Sequence, residues 1–294
     1  MDDQVDKEVP LNINHNSFTD MTTSTQQTSN LHDHAHAHAH AGLQQDLDIL
    51  LQMMPDRRRL LRMMSLGAIA PVSLMACGSG STDSTTSTGA CSTIPSETPG
   101  PFPGDGTNGP NALVLSGIVR SNIKNSLTSS AVANGVPLTI NLKLVNSGCT
   151  SLAGYAVYLW HADAAGRYSL YGNIASDSYL RGVQVADAGG NVSFATIFPA
   201  CYDGRYPHVH FEVYPSLGQA VNGSNDVKTT QLTFTSSVFA AIYASGGYAG
   251  SAANLAKISL ATDNVFDRGD TSLEIANTSG SVAGGYTASL QVAI

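Results

Sequence analysis

Short apolar runs broken by Gly, Asn, Asp and Pro recur from about residue 93 to the C-terminus. Leu113–Arg120, Leu138–Asn146, Ala156–Ala162, Gly182–Ala186, Val192–Phe198, His208–Tyr214, Thr229–Phe234, Leu273–Asn277 and Tyr286–Ala293 each read as a strand, and Val238–Ala244 as a helix. Many short strands with frequent turn signals predict an all-β fold, a β-sandwich with few short helices. About 200 residues bury ample core for a single domain.

The pattern differs upstream. Residues 1–56 are polar, acidic and poor in large apolar side chains until Leu47–Leu51, which reads as a disordered extension. The tract His32-Asp33-His34-Ala35-His36-Ala37-His38-Ala39-His40 lies within it. Such a tract can bind metal, but Ala spacers supply no fixed geometry and a low-complexity linker is the plainer reading. Residues 57–77 switch character: Arg57-Arg58-Arg59-Leu60-Leu61-Arg62 precedes an uncharged run from Met63 that ends in Leu74-Met75-Ala76-Cys77. A basic start, an apolar stretch short for a bilayer and a small residue before the cut describe a secretory signal. The paired arginines resemble a twin-arginine export signal, and Leu-x-Ala-Cys resembles a bacterial lipobox whose Cys77 becomes the lipid-modified N-terminus. A short anchoring helix left uncleaved is the alternative. Both place the rest of the chain outside the cytoplasm, in the periplasm or at the cell surface. Because the signal begins so far in, Met53 or Met54 is a candidate start. Residues 78–92 form a Gly/Ser/Thr-rich tether, and 93–294 the folded domain.

Composition narrows the class. The chain is 42% hydrophobic and only 12% charged, with 28 Gly, which suits a β-rich exported protein better than a helical cytosolic one. A net charge of −8 gives no basic footprint for nucleic acid. The first 76 residues hold nine of the 22 acidic and five of the 14 basic residues; thirteen against nine, a net −4, is left for the rest. That mild value implies no particular partner. Of the four cysteines, Cys77 is the lipid candidate. An oxidising compartment turns Cys91, Cys149 and Cys201 into one bridge and one thiol. Cys91–Cys149 is the favoured pairing, which pins the domain start to the turn before Ala156; pairings through Cys201 stay open.

Chemistry concentrates in Tyr202-Asp203-Gly204-Arg205-Tyr206-Pro207-His208-Val209-His210. On a strand His208 and His210 share one face while Val209 and Phe211 take the other. Two imidazoles on one face can hold a metal, although a lone His-x-His is more often structural. A phenolate added to them favours a hard, oxidised metal, ferric iron first.

Further landmarks precede this run: Glu97-Thr98-Pro99-Gly100-Pro101-Phe102, then Trp160-His161-Ala162-Asp163 with Gly166-Arg167-Tyr168-Ser169, then Arg181-Gly182-Val183-Gln184 with Asp187, then Thr196-Ile197-Phe198-Pro199. In this order, over roughly residues 91–294, the chain resembles the intradiol ring-cleavage dioxygenases, the family of the catechol and protocatechuate 3,4-dioxygenases. The resemblance implies a β-sandwich of mixed or antiparallel sheets. It implies a non-haem Fe(III) cofactor held by Tyr168, Tyr202, His208 and His210, with Tyr202 and His208 axial. Arg205 and Gln231 would face the substrate, Arg205 stabilising charge that develops on the ring. Tyr202 would leave the metal and take a substrate proton. The implied reaction inserts both atoms of O2 into a catechol-type ring to give a muconate-type diacid. His161 and Tyr179 are expected to be structural.

The chain departs from the family pattern in places. Pro199-Ala200-Cys201-Tyr202 stands where Pro-Gly-Trp-Tyr is common, and Val185-Ala186 precedes Asp187 where a Thr is common. No helical pattern ahead of Glu97 corresponds to the dimerising helices of the catechol 1,2-dioxygenase branch. The expected partners are a catechol-type small aromatic, O2 and a membrane reached through lipidated Cys77, with a homo-oligomer left open. The competing expectation is a surface-tethered β-sandwich binding module whose metal site is degenerate or zinc-filled.

Overall fold

The computed structural model describes residues 90–294. The 1–56 extension, the 57–77 signal with Cys77 and most of the 78–92 tether lie outside the described residues. Among the described residues no helix is long and apolar enough to cross a membrane.

Eight strands build the domain: β1 Pro137–Val145, β2 Ala156–Trp160, β3 Arg181–Val185, β4 Asn191–Ile197, β5 Val209–Tyr214, β6 Lys228–Leu232, β7 Asn277–Ser281 and β8 Gly285–Ala293. Two helices, α1 Ser236–Ala244 and α2 Ser251–Leu255, follow β6. One sheet has the order β4-β1-β8-β7 and the other β3-β2-β5-β6. The first is mixed, because β1 lies parallel to β8 and antiparallel to β4. The second is antiparallel throughout. The expected all-β sandwich of mixed and antiparallel sheets is therefore what forms.

The strand patterns explain the layers. In β1, Leu138, Ile140, Leu142 and Leu144 are buried while Lys143 is exposed, the period of two that gives a strand one core face. These leucines meet Val157 and Leu159 of β2 and Val209, Phe211 and Val213 of β5 between the sheets. Every residue of β2 and β5 is buried, so their second face is covered too. On that outer face Ala156, Tyr158, Trp160 and Tyr214 form a separate cluster with Leu113, Ile118 and Tyr168. The loops that supply this cover also supply chemistry.

Two expected strands do not form. Leu113–Arg120 is a series of turns whose backbone joins the sheet at the isolated Val119–Val183 bridge and whose Arg120 side chain donates to the Arg181 carbonyl of β3. Gly117 takes a φ of +83° there, so the apolar residues reach the outer cluster by side chain rather than by a ladder. Leu273–Ala276 is likewise irregular, and of that expected strand only Asn277 lies in one: Asp270 caps a short 3₁₀ turn at Thr271–Leu273, and Ile275 makes an isolated bridge to Thr233. The strand in this region is β7, whose Asn-Thr-Ser-Gly-Ser sequence is mostly exposed and carries no apolar signal.

Cys91 and Cys149 form the disulfide, and Cys201 is a buried free thiol. The bridge spans 58 residues, so Cys91→Ser is expected to cost about 4 kcal/mol through the unfolded chain. Comparative urea unfolding measures it.

Candidate active site

Four strands place one residue each in a single row. Arg181 of β3 pairs with Trp160 of β2, Trp160 with His210 of β5, and His210 with Gln231 of β6. Residues in register share a face, so all four lie on the outer side of the second sheet. The Trp160 and His210 rings stack at 5.0 Å, tilted by only 4°. His210 is thus aimed by packing; its Nδ1 has no hydrogen-bond partner among the described residues.

His208 sits one residue ahead of β5, not within it. Its Nδ1 lies 2.6 Å from the Tyr206 carbonyl, which can only accept, so Nδ1 carries the proton and Nε2 presents a lone pair. The two Nε2 atoms are 3.0 Å apart. Tyr168 arrives from the loop after β2, where Gly166 turns at φ +78°. A Cβ on Gly166 would lie 3.1 Å from the Cβ of Tyr202, so the turn needs both the left-handed backbone and the missing side chain. The Tyr168 hydroxyl lies 3.3 Å from each histidine Nε2 and 3.4 Å from the Tyr202 hydroxyl. The Tyr202 hydroxyl is 3.2 Å from His208 Nε2. Tyr168, His208 and His210 are buried, whereas Tyr202 is half-buried.

Burial, reinforced by the Arg205 charge, holds the pKa of His208 well below the usual imidazole value; burial, then His208 and Arg205, do the same for His210. Both rings are therefore neutral near pH 7, the form that donates to a metal. Donors about 2.1 Å from one ion in a tetrahedral set lie roughly 3.4 Å apart, and the separations here are of that size. Two phenol oxygens with two imidazole nitrogens form a hard, electron-rich set that fits a ferric ion. Among the described residues no group of three or more His, Cys, Asp and Glu could hold a metal, so the tyrosines are indispensable to such a site.

Arg205 and Gln231 lie beside this cluster, both buried. Arg205 Nε donates to Asp263 Oδ2 at 2.9 Å and Nη2 to Gln231 Oε1 at 2.8 Å. Gln231 Nε2 in turn donates to the Thr98 carbonyl at 2.9 Å. Burial works against the Arg205 charge, but Tyr202 and Asp263 outweigh it and its pKa is raised. The Thr98–Phe102 segment roofs the site: a Cβ on Gly100 would touch His210 Cε1 at 3.4 Å. Arg181 fastens that roof by donating to the carbonyls of Phe102, Pro103 and Ser169 and to the hydroxyls of Tyr158 and Ser169.

His161 and Tyr179 stand apart from the cluster. His161 is buried between the Ala162 carbonyl and Thr196 Oγ1, and burial lowers its pKa to about 4. Tyr179 donates to Asp163 Oδ2 at 2.9 Å. Sequence reasoning passed over Asp263 and gave Arg181 no role.

Glu274 was missed as well. It is fully buried and neither carboxyl oxygen has a hydrogen-bond partner among the described residues. Burial first, then Glu97, Asp263 and Asp270, push its pKa from 4.5 up to about 8. A raised folded pKa means stability that is full below about 4.5 and lost as pH rises through about 8. Glu274→Gln is expected to flatten that decline by about 1.4 kcal/mol per pH unit, measured by urea unfolding at stepped pH.

Fold and cluster together give a two-sheet β-sandwich in which two tyrosine oxygens and two histidine nitrogens converge. The dioxygenase family model matches residues 119–238, a span that contains all four donors with Arg205 and Gln231. The intradiol ring-cleavage dioxygenase of Tetranychus urticae is 25% identical over 69% of this chain and 94% of its own, with a TM-score of 0.54. A second dioxygenase structure is also 25% identical, over 69% and 94%, with a TM-score of 0.55. Catechol 1,2-dioxygenase of Pseudomonas arvilla C-1 is 18% identical over 68% of this chain and 61% of its own, with a TM-score of 0.42. No curated protein matches the chain. The chain is homologous to the intradiol ring-cleavage dioxygenases.

Proposed function

We propose that the protein is a non-haem Fe(III)-dependent intradiol dioxygenase that converts a catechol-type ring and O2 into a muconate-type diacid. The observation that carries this reading is the convergence of the Tyr168 and Tyr202 oxygens with both histidine Nε2 atoms. Ferric ion bound by Tyr168, Tyr202, His208 and His210 would supply Lewis-acid polarisation of the two substrate oxygens. Tyr202 is the donor nearest solvent and sits on the exposed Asp203-Gly204 turn, so it is the one that can swing away and accept a substrate proton. Arg205 offers a fixed positive charge where the ring gains electron density, a contact of the kind worth a few kcal/mol in a closed site. Trp160 and the roof at Gly100 keep His210 dry.

The same reading takes 93–294 as the catalytic domain, exported and tethered through Cys77. The Arg57–Cys77 signal pattern supports it, and the Cys91–Cys149 bridge suits an oxidising compartment. Purified protein should contain iron and be red-brown from tyrosinate-to-iron charge transfer. It should consume O2 with at least one of catechol, protocatechuate and hydroxyquinol. Colourless protein with stoichiometric iron would overturn the ligand set. Iron-loaded coloured protein that cleaves none of the three would instead favour the binding module.

A further inference from the structure

We infer that Asp263 is the positioning residue of this site, the group that fixes the guanidinium of Arg205 against the substrate face. The inference rests on the reading of the site given above. Asp263 lies outside the 119–238 family span, 58 residues beyond Arg205, and is completely buried. Its Oδ2 accepts from Arg205 Nε at 2.9 Å and from the Tyr206 amide at 2.6 Å. Its Oδ1 accepts from the amides of Val265 at 2.9 Å and Phe266 at 3.2 Å. Four N–H donors on one carboxylate use both oxygens and leave it one orientation.

That orientation is transmitted. A planar guanidinium held at Nε by Asp263 and at Nη2 by Gln231 cannot rotate about its long axis. The Asp263 bond to the Tyr206 amide also ties down the turn between Tyr202 and His208. Gln231 closes the other side onto Thr98. One continuous chain of hydrogen bonds, charge-assisted on either side of Arg205, therefore runs from the Val265 turn to the roof above His210. A buried carboxylate kept only for stability has no need to face a residue inside the reactive cluster. Asp263 does face one, and the arginine it holds lies within coulombic reach of Tyr168 and Tyr202.

Asp263→Ser separates the two jobs. The hydroxyl still caps the Val265 and Phe266 amides, while the carboxylate oxygen shared by Arg205 and the Tyr206 amide is gone. In the iron-loaded full chain kcat should fall about 10- to 100-fold, the usual cost of losing a supporting residue, with KM rising alongside and the visible band retained. Optical titration with 4-nitrocatechol gives a readout without turnover, and affinity should fall together with kcat. Arg205→Gln should give a similar loss, and the D263S/R205Q double variant no further loss. Wild-type kcat and affinity in D263S, or full additivity in the double variant, would overturn the positioning role. Asp263→Asn, which keeps an oxygen for the two amides, takes its place if D263S does not fold. A wild-type protein that neither binds nitrocatechol nor cleaves a catechol overturns the functional reading itself, and this inference with it.

Discussion

Replacing Tyr168 with Phe is expected to abolish ring cleavage and remove or strongly shift the visible absorption. The Tyr168 hydroxyl touches three of its neighbours in the cluster, both histidine Nε2 atoms and the Tyr202 oxygen. Its loss leaves two neutral imidazoles facing each other at 3.0 Å with one remaining phenol. Histidines alone favour a softer choice of metal, so the site loses both affinity and preference for the ferric state. Activity should fall by more than the roughly 100-fold that losing an outer supporting residue costs. Stability should change by only about 1 kcal/mol, because one hydroxyl is removed from a site that keeps its ring packing. Tyr202→Phe separates the two phenols. It should also alter the band, but Tyr202 is half-buried and adjoins a turn, so iron retention should suffer less than in Y168F. Iron content, absorption and O2 uptake on the same preparations check this. A Y168F protein that keeps both colour and turnover would remove Tyr168 from the ligand set.

Much of this arrangement was legible in the sequence, and the parts that were not have physical causes. Strands with a strong apolar pattern, such as β1, were visible because burial on one face writes a period of two. β7 was invisible because both its faces are polar and only its ladder to β8 makes it a strand. Leu113–Arg120 misled because apolar residues that cover a sheet look, in one dimension, like residues within it. The residues alone offered only His208-x-His210 with a phenol upstream; the resemblance supplied Tyr168 and the grouping of all four side chains, which the structure brings within hydrogen-bonding distance of one another. The parallel stacking of His210 on Trp160 was not legible, since cross-strand register follows from pairing rather than from either segment alone. Asp263 was hidden for the same reason. Its partner Arg205 is distant in sequence, and a single Asp in a polar segment resembles any turn residue until the fold closes over it.

Arg181→Met is expected to be the most damaging single change to the domain, at roughly 3–6 kcal/mol. Exchanging a buried charge for an apolar side chain is often tolerated when its partners are also apolar or change with it. Here the partners stay behind. The carbonyls of Phe102, Pro103 and Ser169 would each lose a donor in a buried setting, at about 1–3 kcal/mol apiece when they find no substitute. The Tyr158 hydroxyl still donates to the Pro103 carbonyl, which moderates the loss at that one position. Against a total stability of about 5–15 kcal/mol, the expected result is a large drop in the urea midpoint or failure to accumulate as folded protein. Arg181→Lys should recover only part of the loss, because one ammonium cannot reach acceptors arrayed around a planar fork. The damage should also reach the chemistry. Phe102 and Pro103 anchor the segment whose Gly100 closes over His210, so any folded R181K protein should admit water to the cluster and lose turnover while keeping its four donors. Wild-type stability and wild-type kcat in R181K would show that the roof is held by its own packing, with Arg181 a passenger beneath it.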